Sequence, residues 1–322
     1  MGQPLTARTA SGRLHIVVTC SNRKTRKVPP QLHLGVVPGS TPTARRQWWT
    51  GRLSIPHLPA QAARDTYAGE HWSIATTLPD LHAGPGGARL WVASAGYGLI
   101  PAEAPIMPYS ATFAAGHADS VIGPSITADE WWQELSTWPG PMPGASRTIA
   151  ALAATDPDAT FLLVLSPPYL RACRQDILTA AEKINDSERL MVVSVGAERS
   201  GPIADLLVRA DGRLQGLFGG SKLSINVRVA AHMIKAGALA RSAASAALTE
   251  LARTQPAPVV FSRQPLSDAE VTAYISQSLA ADPKASATRL LRTLRDSQLA
   301  CEQHRFHRLY RDLVGGAHGH AR

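Results

Sequence analysis

The sequence predicts an α/β fold: a mostly parallel four-stranded sheet with helices on both faces, followed by a small C-terminal helical module. Three observations predict it. The run LHIVVT at 14–19 shows no period-two alternation, which suits a strand buried on both faces. Three further apolar runs stand at 89–94, 161–165 and 190–195, with helical stretches between them, as βαβ units require. Each run empties into a polar or glycine- and proline-punctuated segment, so these segments gather at the edge where open α/β sheets bind ligands.

Composition narrows the function. A chain of 322 residues, 44% hydrophobic, can build one large domain and a small one. A net charge of +9 and a pI near 9.9 argue for a polyanionic partner, most simply nucleic acid. Cys20, Cys173 and Cys301 are far apart with no CxxC, which excludes a disulfide framework and a zinc spacing and points to a reduced, cytoplasmic setting. No apolar run reaches membrane length, and the first residues hold no apolar signal core. The histidines at 304, 307, 318 and 320 lack a completing carboxylate or thiolate, so no metal and no cofactor is expected. No membrane and no obligate protein partner is expected either.

In chain order, residues 1–12 read as a loose tail and 13–253 as the α/β domain. The first strand leads into Cys20, Ser21, Asn22, Arg23 and Lys24, where a site is expected. Residues 44–53 read as a helix or turn in which Trp48 and Trp49, beside Arg45 and Arg46, are half core and half surface; stacking on bases is the alternative. Helical spacing through Ala63, Tyr67, Ile74 and Leu78 predicts a helix within 59–81. The second strand enters 95–113, where three prolines and two glycines predict an irregular, ordered loop. Thr127 and Glu130 form a capping box for a helix over 127–138, and 146–154 is another helix. The third strand is followed by Ser166 and a helix opened by Pro167 and Pro168; the fourth ends in Gly196, Ala197 and Glu198. GLFGGSKLSIN, at 216–226, is a glycine-rich turn opening a helix over 224–235. Free N–H groups there, with Ser221, Lys222 and Asn226, suggest an anion site, although the Walker spacing is absent. An alanine-rich helix over 238–252 and a linker over 254–265 follow. In 266–314, Ser267 and Glu270 cap a helix, Arg289, Arg292 and Arg295 lie on a second, and Arg305, Arg308 and Arg311 share one face of a third. Short helices with a basic face suggest a helix-turn-helix or winged-helix module that holds DNA. Residues 315–322 read as a flexible end.

Taken together, strand order and loops resemble the uracil-DNA glycosylase superfamily. GLFGGSKLSIN resembles the GFFGCRHFSKTN segment of family-one uracil glycosylases at Gly216, Phe218, Gly219, Ser224 and Asn226, and FLLVLS at 161–166 resembles their third strand. CSNRK and SAGYGLIPAEAPIMPY are similar to the glycosylase-like domain attached to archaeosine and deazaguanine transglycosylase proteins. The shared residues are Cys20, Ser21 and Lys24, then 98–101, then Pro108 and Tyr109. An anti-phage DNA glycosylase that removes glucosylated hydroxymethylcytosine has this general build. The likeness covers roughly residues 13–240. Two departures argue against uracil specificity. No carboxylate stands between Cys20 and Lys27, where the uracil enzymes carry the aspartate of GQDPY, and the fourth strand ends in VSVGAE, not HPSP.

The resemblance implies a DNA glycosylase acting on a modified base in phage DNA, with double-stranded DNA as partner. Glycosidic cleavage builds positive charge on the sugar and negative charge on the base, so the site needs an anion or dipole near C1′ and donors on the base. Glu103, in the second loop, is the expected charge stabiliser, with Asn22 and Ser21 beside the reacting centre and Glu198 as another carboxylate. Tyr97 and Tyr109 would stack on a flipped base. Cys20, Ser94, Ser166 and Ser21 would bond base or phosphate, and Arg23, Lys24 and Lys222 would grip phosphates. A lysine attacking C1′ is an alternative route. Two other functions stay open: a nucleic-acid-binding protein with an inert cleft, and a tRNA base-modifying enzyme.

Overall fold

The computed structural model describes residues 12–198, 200–256 and 263–318. The ends of both expected tails, His320 among them, and residues 257–262 of the expected linker lie outside these. The chain divides into two compact units, Met1–Pro258 and Val259–Arg322.

The first unit is α/β with a mostly parallel sheet of five strands, one more than the sequence suggests. They are β1 (Leu14–Thr19), β2 (Ala88–Ser94), β3 (Gly98–Pro101), β4 (Thr160–Val164) and β5 (Leu190–Val193), in the order β3-β2-β1-β4-β5. β1, β2, β4 and β5 run parallel. β1 is central and every one of its residues is buried, as its unbroken apolar run requires. Ile16 lies between Leu90 and Leu162, and Val18 between Val92 and Val164.

β3 is the extra strand, and it corrects the irregular loop expected over 95–113. Residues 95–97 turn the chain back, and Gly98, at φ +70°, starts a four-residue antiparallel strand whose Pro101 faces Trp91. Proline is tolerated there because β3 is an edge. The Arg147 guanidinium holds the hairpin by donating to the carbonyls of Tyr97, Leu99 and Trp138. At the other edge the Val208 N–H donates to the Val192 carbonyl at 2.9 Å, so 207–208 lies along β5.

The helices of six or more residues described in this unit are α1 (Pro42–Leu53), α2 (Glu70–Ala75), α3 (Ala128–Ser136), α4 (Ile149–Thr155), α5 (Pro167–Ala181), α6 (Ile225–Lys235) and α7 (Arg241–Arg253). α1, α3, α4 and α5 pack on one another; α2 and α6 form a second group, with α6 against β4 and β5. The α3 capping box forms in both directions, Glu130 N–H to Thr127 Oγ1 and Thr127 N–H to Glu130 Oε2. α3 buries Trp131 and Trp132, whose indoles donate to the Ala95 carbonyl and to Asp176. Asp176, on α5, also accepts the N–H groups of Ile149 and Ala150, which ties the start of α4 down. Trp49 is fully buried and bonds the Gly96 carbonyl at 2.7 Å, while Trp48 is 58% exposed. Arg45 and Arg46 bond within the protein, to the Val121 carbonyl and Glu134, so no paired stacking platform forms there.

The single helix expected within 59–81 is broken. A two-residue strand (Gln61–Ala62, paired with Pro105–Ile106), a turn of helix (Ala63–Thr66), α2 and a 3₁₀ turn (Pro79–Leu81) replace it. Gly69, at φ +102°, interrupts the helix, and the backbone of 65–69 is committed to pairing with 21–25.

The second unit has its own apolar core of Val271, Ile275, Leu290, Leu294, Phe306 and Leu309. It contains α8 (Asp268–Ala281), α9 (Ala287–Asp296), α10 (Gln303–His318) and a short parallel pair, Gln264–Pro265 with Leu299–Ala300. Ser267 and Glu270 form the expected capping box. Among the described residues, no helix is long and apolar enough to cross a membrane.

Gly96 has no side chain where the Tyr109 ring passes: a Cβ at 96 would collide with its Cδ2 and Cε2 atoms. Gly96→Ala is therefore expected to destabilise the first unit by about 1–3 kcal/mol, read as a lower urea midpoint at unchanged m-value.

Candidate functional site at the carboxyl ends of the strands

β1 ends at Thr19, and the Cys20 N–H still bonds the Ala93 carbonyl at 3.0 Å, which holds Cys20 beside the end of β2. The chain then pairs with 65–69. Thr25 N–H bonds the Thr66 carbonyl, Ala68 N–H bonds the Arg23 carbonyl, and Ser21 Oγ donates to the Ala68 carbonyl at 2.7 Å. This ladder sets Lys24 opposite Tyr67 and delivers Glu70, the first residue of α2, to the same edge.

Under the loop lies a closed knot of polar side chains. Tyr109 Oη is 2.6 Å from Ser94 Oγ, 3.0 Å from Tyr67 Oη and 3.4 Å from Cys20 Sγ, and Cys20 Sγ is 3.0 Å from Tyr169 Oη. Ser94 Oγ also accepts the Tyr97 N–H at 2.9 Å. Tyr67, Ser94, Tyr109 and Tyr169 are buried, and burial pushes the three phenols well above their usual range, so they remain neutral donors. Lys24 lies over this knot. Its Nζ is 4.5 Å from the centre of the Tyr109 ring and 5.1 Å from that of Tyr67, and it donates to the carbonyls of Ser21 at 2.6 Å and Asn22 at 3.3 Å. Burial lowers its pKa to about 8.

The glycine-rich turn already holds an anion from the chain itself. Glu70 Oε1 receives Arg228 Nη2 at 2.6 Å, and Glu70 Oε2 receives the Ser221 N–H at 3.3 Å. The Arg228 guanidinium, then the Ser221 contacts, hold the Glu70 carboxyl down at about 2. This corrects the expectation of an open cradle at Ser221 with free N–H groups. Asn226 is corrected too: it is buried, its Oδ1 accepts the Val195 N–H and its Nδ2 donates to the Leu165 carbonyl, so it braces the ends of β4 and β5 and is not placed to touch DNA. Lys222 and Leu223 remain at the surface, Leu223 being 83% exposed.

Other expected residues divide between this edge and elsewhere. Asn22 and Arg23 are exposed on the loop after β1; Ser166 is half-buried at the start of α5, its N–H bonded to Thr19 Oγ1. Glu198 is exposed after β5. Tyr97 and Tyr109 do not present a stacking surface. Tyr97 is buried against Met107 and Trp138, and Tyr109 is 0% exposed inside the knot. Glu103 is at the wrong end of the sheet. Because β3 runs antiparallel, the chain returns toward the start of β2, and Glu103 pairs with Arg64 at 3.5 Å beside a cleft of about 830 Å³ that Arg13, His15 and Ala88 also line. A second cavity of about 600 Å³ is lined by His57, Tyr97, Met107 and Trp138. In the second unit, Arg305 and Arg308 both grip Asp268, Arg289 pairs with Asp282, and Arg292 is exposed. Among the described residues, no three His, Cys, Asp or Glu side chains gather as a metal site.

Sequence reasoning missed Tyr67, Tyr169 and Glu70. Tyr169 carried a usable signal, since it opens the helix after a parallel strand and so starts at the ligand edge. Tyr67 and Glu70 carried none, because their placement depends on a ladder between segments some 40 residues apart. No family model, curated protein or solved structure matches the chain.

Two predictions concern this edge. Glu70 is ionised more readily folded than unfolded, so the stability it contributes is full above its ordinary value of 4.5 and disappears as pH falls through about 2. Glu70→Gln is therefore expected to flatten the loss of stability between pH 4.5 and 2, measured by denaturant titration at each pH. Tyr109→Phe deprives Ser94, Tyr67 and Cys20 of a shared partner and is expected to cost about 1–3 kcal/mol in the same assay at neutral pH.

Proposed function

We propose that this protein is a DNA glycosylase that removes a modified base, with the reaction at the carboxyl end of β1. The observation that carries the reading is the meeting there of a partly buried lysine whose pKa is lowered to about 8 with the loop that leads to Glu70, an anchored, ionised carboxylate. Groups so perturbed in opposite roles are what glycosidic cleavage needs: fixed negative charge toward the sugar, donors toward the base and phosphate. The resemblance of CSNRK and of the glycine-rich turn to the uracil-DNA glycosylase superfamily, and the net charge of +9, support it. In this reading Glu70 takes the role expected of Glu103, Asn22 and Ser21 hold water, and Arg23 and Lys222 meet the backbone. The second unit, as a helix-turn-helix or winged-helix module, holds the duplex through Arg292, with Arg289, Arg305 and Arg308 exchanging exposed carboxylate partners for phosphates. Exposed pairs of that kind contribute little to stability and are readily exchanged.

A second reading has an observation in its favour. The knot of Cys20, Tyr67, Ser94, Tyr109 and Tyr169 is filled by the chain's own side chains, as an inert nucleic-acid-binding cleft would be. On the glycosylase reading the flipped base lies outside this knot, against Lys24 and the exposed loop.

The test is mass spectrometry of bases released from plain, uracil-containing and glucosylated hydroxymethylcytosine DNA by the purified full chain. Release of the modified base with matching alkali-labile sites is the expected outcome, reduced at least about tenfold in Glu70→Gln. Tight binding of all three DNAs with no base released would establish the inert reading instead.

A further inference from the structure

We propose that the Lys24 amine is a nucleophile that condenses with the C1′ aldehyde of an abasic nucleotide, so that base loss is followed by strand cleavage at the same edge. This rests on the glycosylase reading for its substrate but makes a separate chemical claim.

Geometry argues for it. The amine is held at the end of the central strand by a backbone bridge to Tyr67 and by the carbonyls of Ser21 and Asn22, outside the buried knot and beside exposed Asn22 and Arg23. It has no carboxylate partner among the described residues, unlike Arg46, Arg228 and Arg241, which pair with Glu134, Glu70 and Glu188. Its neighbours are two neutral phenol rings, Cys20 Sγ and the carbonyl oxygens of Ser21 and Asn22; none is a carboxylate, and burial outweighs the opposing pull of Cys20 on its proton. Burial lowers its pKa to about 8, so far more of the amine is unprotonated near neutral pH than for an ordinary lysine. Desolvation is one of the recognised ways to activate a lysine for Schiff-base chemistry.

The steps balance without a cofactor. The Lys24 lone pair attacks C1′ of the ring-opened sugar, and the hydroxyl so formed leaves as water, giving a protonated imine. A C2′ proton is lost to solvent, the C3′–O bond breaks, and the 3′ phosphate leaves with the bonding pair. Water then hydrolyses the imine and returns the amine. The Tyr109 and Tyr67 rings under Nζ stabilise the cationic imine as they do the ammonium.

The experiment incubates the full chain with a duplex carrying a preformed abasic site, in the presence of sodium borohydride, which reduces the imine to a stable secondary amine. Because the site is preformed, no glycosylase step is needed. A covalent protein–DNA adduct mapped by peptide mass spectrometry to Lys24, and reduced at least about tenfold in Lys24→Arg, is expected. An adduct on another amine, such as Lys222 or the N-terminus, or no adduct on abasic DNA that the protein binds, would overturn the inference. Peptide mapping of the unsubstituted chain decides the matter even where Lys24→Arg folds poorly. Base release without trapping removes the lysine chemistry and leaves the glycosylase reading intact; trapping without base release from any DNA does the reverse.

Discussion

The structure depends on the complete burial of β1. A strand flanked by parallel partners and covered on both faces can keep no polar group unsatisfied, so whatever polar chemistry lies on or just beyond it must be paired inside the protein. At its start, His15 is buried, accepts the Trp91 indole N–H on Nδ1 at 3.1 Å and faces Asp156 through Nε2 at 3.3 Å. At its end, Thr19 bridges to β4 and Cys20 enters the tyrosine knot. Hydrogen-bonded polar groups at both ends thus add to the apolar middle in fixing the strand's register.

The same rule explains why the edge is polar yet closed. Tyr67, Tyr109 and Tyr169 reach it from three separate segments, and each phenol has a partner within the group. Lys24 covers the group, itself half-buried, with its amine on the carbonyls of Ser21 and Asn22. Glu70, by contrast, is held from outside by Arg228 of α6, and this joins the glycine-rich turn to the start of α2 across some 150 residues of sequence. Lys24 and Glu70 are therefore positioned by different elements, Lys24 by the sheet and Glu70 by a helix pair.

Much of this was legible in the sequence where a single segment decides its own structure. The four parallel strands follow from unbroken apolar runs, and the capping boxes at Thr127 and Ser267 follow from spacing alone. What was not legible depends on pairing between segments. The helical spacing of Ala63, Tyr67 and Ile74 is real, yet the ladder between 21–25 and 65–69 outweighs it, and Gly69 allows the break. Glu103 reads as a loop carboxylate next to a ligand edge. Only the antiparallel return of β3, four residues long, carries it to the opposite end of the sheet. Asn226 reads as a polar residue at a phosphate-binding turn, whereas its amide is consumed by two strand ends.

The way the sheet is finished has a consequence for the protein in concentrated solution. β3 is short, antiparallel and ends in Pro101, and the chain at 207–208 lies along β5. Among the described residues, neither flank therefore offers a long row of vacant backbone donors and acceptors on which a strand from another copy could dock. A long bare edge on an apolar, parallel sheet is a template for strand-to-strand pairing, and the excess positive charge adds mutual repulsion between copies.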